Sequence, residues 1–186
     1  MINFFKDNLG MIWKIVITQI GMMVFGLIVV LSSAMINPLL CHIAGGLSIL
    51  MYLFVLYSHF IEKGNEDKIK IDGGRMEKRN FYGLFVYLAS QFLNIVLSVI
   101  TAVTFYFTDN EVETVMNRVY ATFKLITHYY NGAYLSVTRL VPDFPFIYLL
   151  LIIPGAIVCF LSYFGGIRGV KHFMPEPKKI RNERTR

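Results

Sequence analysis

Six polar residues within apolar stretches are the strongest candidates for chemistry in this sequence. Gln19 lies in the first stretch and is expected to pair with amides further along the chain. The other five step by three and four residues, which places them on one face of a helix: Gln91, Asn94, Ser98, Thr101 and Thr104. Such a face either lines a path for a polar solute or hydrogen-bonds across helices, each contact giving about 1 kcal/mol. We favour the interhelix contacts.

A second pattern consists of small residues near the carboxyl-terminal end of the apolar sequence. Pro154 is expected to kink its helix, because it lacks a backbone N–H and its ring clashes with the preceding turn. Small residues then step by four, three and four, which lets two helix backbones approach: Gly155, Cys159, Ser162 and Gly166. A kink can form a gate or a binding site, but we interpret this one and its seam as helix packing.

Catalytic and metal-binding signatures do not occur in the sequence. It contains no GxSxG motif, P-loop or dinucleotide fingerprint, and no HExxH or CxxC pattern. The four histidines are scattered, without the paired spacing of a zinc site. We therefore predict a protein that is not an enzyme and that uses no metal or cofactor.

Four long apolar segments must position these residues. The chain has 186 residues, of which 55% are hydrophobic and 16% charged, whereas a soluble domain has about 25% charged residues. A helix of about 20 residues crosses the roughly 30 Å hydrocarbon core of a bilayer. The sequence predicts an all-α integral membrane four-helix bundle with spans at residues 12–32, 38–60, 81–107 and 144–166. The first segment also resembles an export signal, but its apolar run is longer than is usual for one, and we expect an uncleaved first span rather than a cleaved signal.

An additional amphipathic helix is predicted between the third and fourth spans. Thr108 and Glu111 have the spacing of a capping box, and apolar residues recur at helical spacing over residues 110–130. We expect this helix on the outer membrane surface or against the bundle. Asn131 and Gly132 predict a turn after it.

The distribution of basic residues predicts the orientation. Residues 62–80 contain six Lys and Arg and residues 168–186 contain seven, whereas residues 108–143 contain three. Because cytoplasmic loops carry the excess of Lys and Arg, both termini and residues 62–80 are expected inside and residues 108–143 outside the plasma membrane. One membrane domain, residues 1–170, then precedes a basic cytoplasmic tail, residues 171–186.

The tail either only fixes the topology or also contacts anionic lipid. Its candidate lipid-facing residues are Lys178, Lys179, Arg181, Arg184 and Arg186. The basic residues lie next to the predicted spans and do not form one folded basic face. We therefore expect a lipid partner and no nucleic acid.

A short motif and the general layout carry one resemblance. The segment Asp72-Gly-Gly-Arg-Met-Glu-Lys-Arg79 leads directly into an apolar span. In this the chain resembles uncharacterised small multi-span membrane proteins of low-GC Gram-positive bacteria, which bring no assigned activity. From the residues we predict a non-enzymatic accessory or assembly subunit of a bacterial membrane complex, bound to another membrane protein or to a second copy. The alternative is a small oligomeric permease or channel for a solute or ion.

Overall fold

The computed structural model of the chain describes residues 2–108, 115–141 and 144–169, without the side chains of residues 2–7. All regular secondary structure in these ranges is helical, which confirms the predicted all-α fold. A 3-10 turn, Gly132–Tyr134, lies between the fifth and sixth α-helices. The helices are α1 (Ile2–Ile36), α2 (Pro38–Asp72), α3 (Tyr82–Ser90), α4 (Phe92–Phe105), α5 (Val115–Tyr130), α6 (Leu135–Leu140), α7 (Ile147–Leu150) and α8 (Ile152–Arg168).

Three helical segments of the described chain are long and apolar enough to cross a membrane. They are Asn8–Ile36, Pro38–Asp72 and Ile147–Arg168, and they contain most of the first, second and fourth predicted spans. The second helix is longer than expected. Residues 61–72 are helical, although the second span was predicted to end at residue 60. An ion pair between Lys63 and Asp67, four residues apart, supports this helical extension.

A single residue, Asn37, connects α1 to α2. Its side-chain Oδ1 accepts a hydrogen bond from the backbone N–H of Leu39 at 2.8 Å, and Pro38 occupies the first helical position. Asparagine satisfies a free amide at a helix start, and proline has no amide to leave unpaired there. The two helices therefore form a tight antiparallel pair.

The third predicted span is not one straight helix. Its two halves, α3 and α4, meet at Gln91 with a bend of 59°, whereas one helix was expected over residues 81–107. The hydroxyl of Ser90 donates to the carbonyl of Tyr87 at 2.6 Å, a side-chain hydrogen bond that bends helices. The backbone of Gln91 has ψ of 6°, far from the helical value of about −42°.

The fourth predicted span is interrupted near its start. Leu151 separates α7 from α8, three residues before Pro154. Pro154 has no N–H to donate to the carbonyl of Leu150, which explains a weak point in the helix at this position. The two helices still form one run of 22 residues, Ile147–Arg168.

Helix α5 packs against the bundle, the second of its two predicted positions. The hydroxyls of Thr101 on α4 and Thr127 on α5 are 2.9 Å apart, and the rings of Phe105 and Tyr120 lie 5.6 Å apart. Residues 110–114 of the predicted helix lie outside the described residues.

The chain reverses direction inside the bundle after α5. Asn131, at this reversal, is 1% exposed. A Cβ on Gly26 of α1 would lie 2.8 Å from the Cα of Ala133, so the turn touches α1. Helix α6 then follows α2, where Gly45 faces the side chain of Ser136. We call α5, the turn and α6 (residues 115–140) the inserted hairpin.

Candidate functional site

Four amide side chains meet where the bent helix and the inserted hairpin touch. We call Gln19, Gln91, Asn94 and Asn131 the amide cluster. Gln91 Nε2 donates to Gln19 Oε1 at 3.3 Å, and Asn94 Nδ2 donates to Gln91 Oε1 at 3.1 Å. Asn94 and Asn131 exchange two further hydrogen bonds, of 3.1 and 2.9 Å. None of the four residues is more than 3% exposed.

Helix α2 joins the amide cluster through Tyr52. The Tyr52 hydroxyl donates to Gln19 Oε1 and accepts from Gln91 Nε2 at 3.4 Å. The side chain of Gln19 also donates to the carbonyl of Tyr130 at 3.5 Å. The cluster therefore connects α1, α2, the α3–α4 joint and the inserted hairpin.

Two local features of the backbone deliver these amides. The bend after Ser90 places Gln91 at the joint between α3 and α4, and Asn94 follows one turn later on α4. At the end of α5, Asn131 Nδ2 donates to the carbonyl of Thr127 at 2.9 Å. The same carbonyl also accepts the backbone N–H of Asn131 at 3.1 Å, and the two bonds together fix the asparagine side chain facing Asn94.

The five residues of the predicted polar face have four different arrangements in the structure. Gln91 and Asn94 belong to the amide cluster, and Thr101 contacts Thr127. Thr104 instead donates to the carbonyl of Ile100 in its own helix, at 2.8 Å. Ser98 is fully buried, and its hydroxyl has no hydrogen-bond partner in the described part of the chain. The face is thus mainly occupied by contacts between helices.

The chemistry available to the amide cluster is hydrogen bonding between neutral groups. Carboxamides do not titrate, so the four amides offer neither a proton relay nor a nucleophile. In a medium without water, an unpaired amide is costly, and the observed pairs remove that cost. Among the described residues, no three His, Cys, Asp or Glu side chains come together to hold a metal ion.

The small-residue seam of α8 faces the rest of the same chain. Its four residues are buried. A Cβ on Gly166 would lie 2.6 Å from the carbonyl oxygen of Ile61, and Gly155 is covered by the ring of Tyr87. Ser162 donates to the carbonyl of Val158 at 2.7 Å. The backbone of Cys159 lies against Gly83 of α3. A Cβ built on Gly83 would lie 3.1 Å from the carbonyl carbon of Cys159.

A buried carboxylate near the end of α2 forms a second polar group. Asp67 is 1% exposed, and its Oδ1 accepts from Lys63 Nζ at 2.9 Å. Its Oδ2 accepts from the Tyr163 hydroxyl on α8 at 3.1 Å. This group was not predicted from the sequence, although the i,i+4 spacing of Lys63 and Asp67 indicates such an ion pair.

Tyr52 and Asn131 were also missed as members of the central site. Tyr52 lies in a continuous apolar run, where a tyrosine is read as a packing residue. Asn131 was assigned to a turn, and no pattern in the sequence indicates that the turn is buried. Both positions become recognisable only when the hairpin is seen between the helices.

A cleft of about 300 Å³ lies between α1, α2 and α3, next to the buried carboxylate. The ammonium of Lys14 and the carboxylate of Glu62 face each other there at 3.8 Å, both largely exposed. The cleft is lined by charged and polar side chains, among them Asn8, Lys14, His59, Glu62, Lys63, Glu66 and Tyr82.

The five basic tail residues proposed to face lipid, at positions 178–186, lie outside the described residues. No family model, curated protein or solved structure matches the chain.

Proposed function

We propose that the chain is a multi-pass protein of the cytoplasmic membrane that crosses the bilayer four times. In this arrangement α3 and α4 form one broken crossing, and the inserted hairpin enters from the outer side. Three apolar helical segments of sufficient length support the proposal. The basic residues of residues 62–80 and of the tail support a cytoplasmic position for both termini. The tail then lies at the anionic inner surface.

Its function in this proposal is that of a non-enzymatic accessory or assembly subunit of a membrane complex. One observation carries the choice: the amides of Gln19, Gln91, Asn94 and Asn131 hydrogen-bond to one another at no more than 3% exposure. Side chains that were candidates for a solute path are thus engaged in holding helices together. Such a bundle is suited to present a fixed surface to a partner.

Exposed glycines supply a docking surface for a partner helix. Gly21 on α1 and Gly46 on α2 are exposed, and a Cβ built on either would meet nothing within 4 Å. Small residues on a lipid-facing helix let another helix approach closely. By contrast, Gly155 and Gly166 are already covered by the chain's own helices, so the seam of α8 does not serve a partner in this proposal.

Co-purification tests the accessory function. The tagged protein would be isolated from its native membrane in a mild detergent, and its partners would be identified by mass spectrometry. We expect a stoichiometric partner that is lost when Gly21 and Gly46 are replaced by Leu, while the protein itself stays folded. Ile17→Ala, on the same exposed side of α1, is the matched surface control and should keep the partner.

The result separates assembly from folding. Gly166→Leu should lower the yield of the protein itself, because the new side chain collides with the backbone of α2. Recovery of the wild type as a lone monomer would contradict the accessory proposal. So would a complex that is indifferent to the double Leu variant.

A second candidate function is a small permease for a neutral polar solute, and a different observation favours it. Three buried residues within four sequence positions of Tyr52 or of an amide-cluster residue have hydroxyls that lack hydrogen-bond partners in the described chain: Ser48, Ser98 and Tyr134. Unpartnered buried hydroxyls are rare, and a solute or water would satisfy them. The helix break and the hairpin at the same place are typical of solute sites in transporters.

Reconstituted vesicles distinguish the two functions. Swelling would be followed in vesicles suspended in glycerol, urea or a small sugar, with and without the protein. Under the permease candidate, the protein accelerates swelling, and replacing Gln91 and Asn94 by Leu abolishes the effect. Equal rates for protein-containing and empty vesicles would exclude the permease for these solutes and leave the accessory function standing.

A further inference from the structure

An apolar crevice of about 330 Å³ opens on the perimeter of the bundle between α3 and α8. On α8, the residues that line it follow helical spacing along one face. Only apolar side chains line it: Phe81, Leu84, Ile153, Ala156, Ile157, Phe160 and Leu161. The crevice is therefore suited to a hydrocarbon chain and offers nothing to a polar solute.

Two basic side chains lie at the end of this crevice that is nearest the carboxyl terminus of α8. The ring of Phe164 lies one turn beyond Phe160 and parallel to it, with centroids 6.1 Å apart. Over the Phe164 ring lie the guanidinium of Arg168, at 4.2 Å from its centroid, and the ammonium of Lys78, at 6.0 Å. The two cations come from different parts of the chain, α8 and the connection before α3, and converge on one ring.

Among the described residues, no carboxylate forms an ion pair with either cation. In the described ranges, the ion pairs of the protein involve other basic residues and lie at Lys14, Lys63 and Lys70. Lys78 and Arg168 are both exposed. An apolar crevice that ends in two unneutralised cations has the complementary charge and polarity of an anionic lipid.

We propose that this crevice binds an anionic phospholipid. One acyl chain lies between α3 and α8, and the phosphate contacts Arg168 and Lys78 beside Phe164. Arginine binds phosphate through two parallel N–H donors, and lysine adds a point charge. The inference rests on the membrane location proposed above, which places this end of α8 at the cytoplasmic surface, where anionic lipids are enriched.

The proposal is specific for the charge of the lipid. A zwitterionic lipid offers the same acyl chains but carries its own ammonium, which two nearby cations would repel. A partner helix would cover the crevice without needing the cations. The two basic residues and the apolar lining can therefore be tested separately.

Lipid retention by the purified protein tests the site. The full chain in mild detergent would be incubated with phosphatidylglycerol or with phosphatidylcholine of identical acyl chains, and bound lipid would be counted by native mass spectrometry. We expect the wild type to bind phosphatidylglycerol about tenfold more tightly. Replacing Lys78 and Arg168 together by Gln should remove this preference. Arg75→Gln, an exposed basic residue in the same connection, should keep it.

A second variant tests the crevice itself. Ala156→Trp should fill the space and weaken retention of both lipids, whereas Val99→Trp, on an exposed part of α4, should not. Equal retention of the two lipids by the wild type would overturn the proposal, and so would a preference unchanged in the Lys78 and Arg168 variant. Because the assay contains no partner protein, its failure leaves the accessory function untouched. If the wild type showed no lipid preference and Ala156→Trp lost its co-purifying partner protein, the crevice would be a partner-binding surface. That result would overturn the lipid site.

Discussion

Asn94 and Asn131 face each other as a reciprocal pair, each donating one amide hydrogen bond to the other's oxygen, at 3.1 and 2.9 Å. They are 37 positions apart in sequence. One stands on α4 just beyond the bend, and the other marks the reversal of the inserted hairpin. This pair therefore attaches the hairpin to the broken helix at a buried part of both.

Removing both members of this pair should destabilise the protein by less than the sum of the two single removals. Asn131→Ala leaves the Asn94 amide buried with fewer partners, and we expect a loss of about 1–3 kcal/mol. The thermal unfolding midpoint in detergent should fall accordingly, by about 3–10 °C. Replacing Asn94 and Asn131 together by Leu should cost less than the sum of the single Leu changes.

The control for this prediction is Asn80→Ala, at an exposed position before α3. Its midpoint should stay close to that of the wild type. If Asn131→Ala and Asn80→Ala unfolded at the same temperature, the reciprocal pair would contribute nothing measurable to the hairpin's position.

Two glycines of α1 should respond in opposite ways to a single methyl group. Gly26→Ala would drive its Cβ to 2.8 Å from the Cα of Ala133, and such overpacking typically costs about 1–3 kcal/mol. Gly21→Ala meets open space and should be neutral or stabilising, because alanine favours helices by about 1 kcal/mol over glycine. Thermal unfolding of both variants measures the difference. Equal midpoints would mean that the turn does not press against α1.

The ion pair between Lys63 and Asp67, which also binds the Tyr163 hydroxyl, should stabilise the folded protein more than an exposed charge does. Lys63→Met removes the closest cation from the buried carboxylate of Asp67, and we expect a loss of about 1–3 kcal/mol. The expected loss is moderate because the ammonium of Lys70 lies 3.7 Å from the same oxygen. Arg75→Met, which removes an exposed charge nearby, is the control for detergent unfolding. A similar effect of both changes would argue against a structural role of the pair.

Labelling of introduced cysteines tests the proposed topology. Val115→Cys, at the 78% exposed start of α5, should react with an impermeant thiol reagent added outside intact cells. Gly73→Cys, at the end of α2, should react only after the membrane is opened. The wild type is the blank, because both native cysteines are buried. The opposite pattern would reverse the orientation.

Hydropathy alone predicts most of the helices but not the break at Gln91. The third segment is apolar on both sides of that residue, and a single serine hydroxyl, that of Ser90, accompanies the bend. Serine also occurs in unbent helices, so its presence does not predict one. The polar spacing of Gln91 and Asn94, in contrast, depends only on helical periodicity, and both residues do lie in one hydrogen-bonded group.

The inserted hairpin was harder to predict for a different reason. Apolar residues at helical spacing along α5 indicate that one side is buried, but not whether lipid headgroups or other helices cover it. Asn131 and Gly132 predict a reversal in the chain, and that reversal is present. The turn is buried because it contacts Gly26 and Met23 of α1. These residues are distant in sequence from the turn, and no local sequence pattern indicates the contact.

The connection at Asn37 has a consequence for how the protein is made. Under the proposed topology, the single residue between α1 and α2 leaves the insertion machinery no separate loop to translocate, and we expect the two helices to enter the bilayer as one unit. The broken third crossing and the hairpin, which carry the polar groups, then meet a surface that already presents Gln19 and Tyr52. In this order of insertion, the later amide of Gln91 finds hydrogen-bond partners already in place.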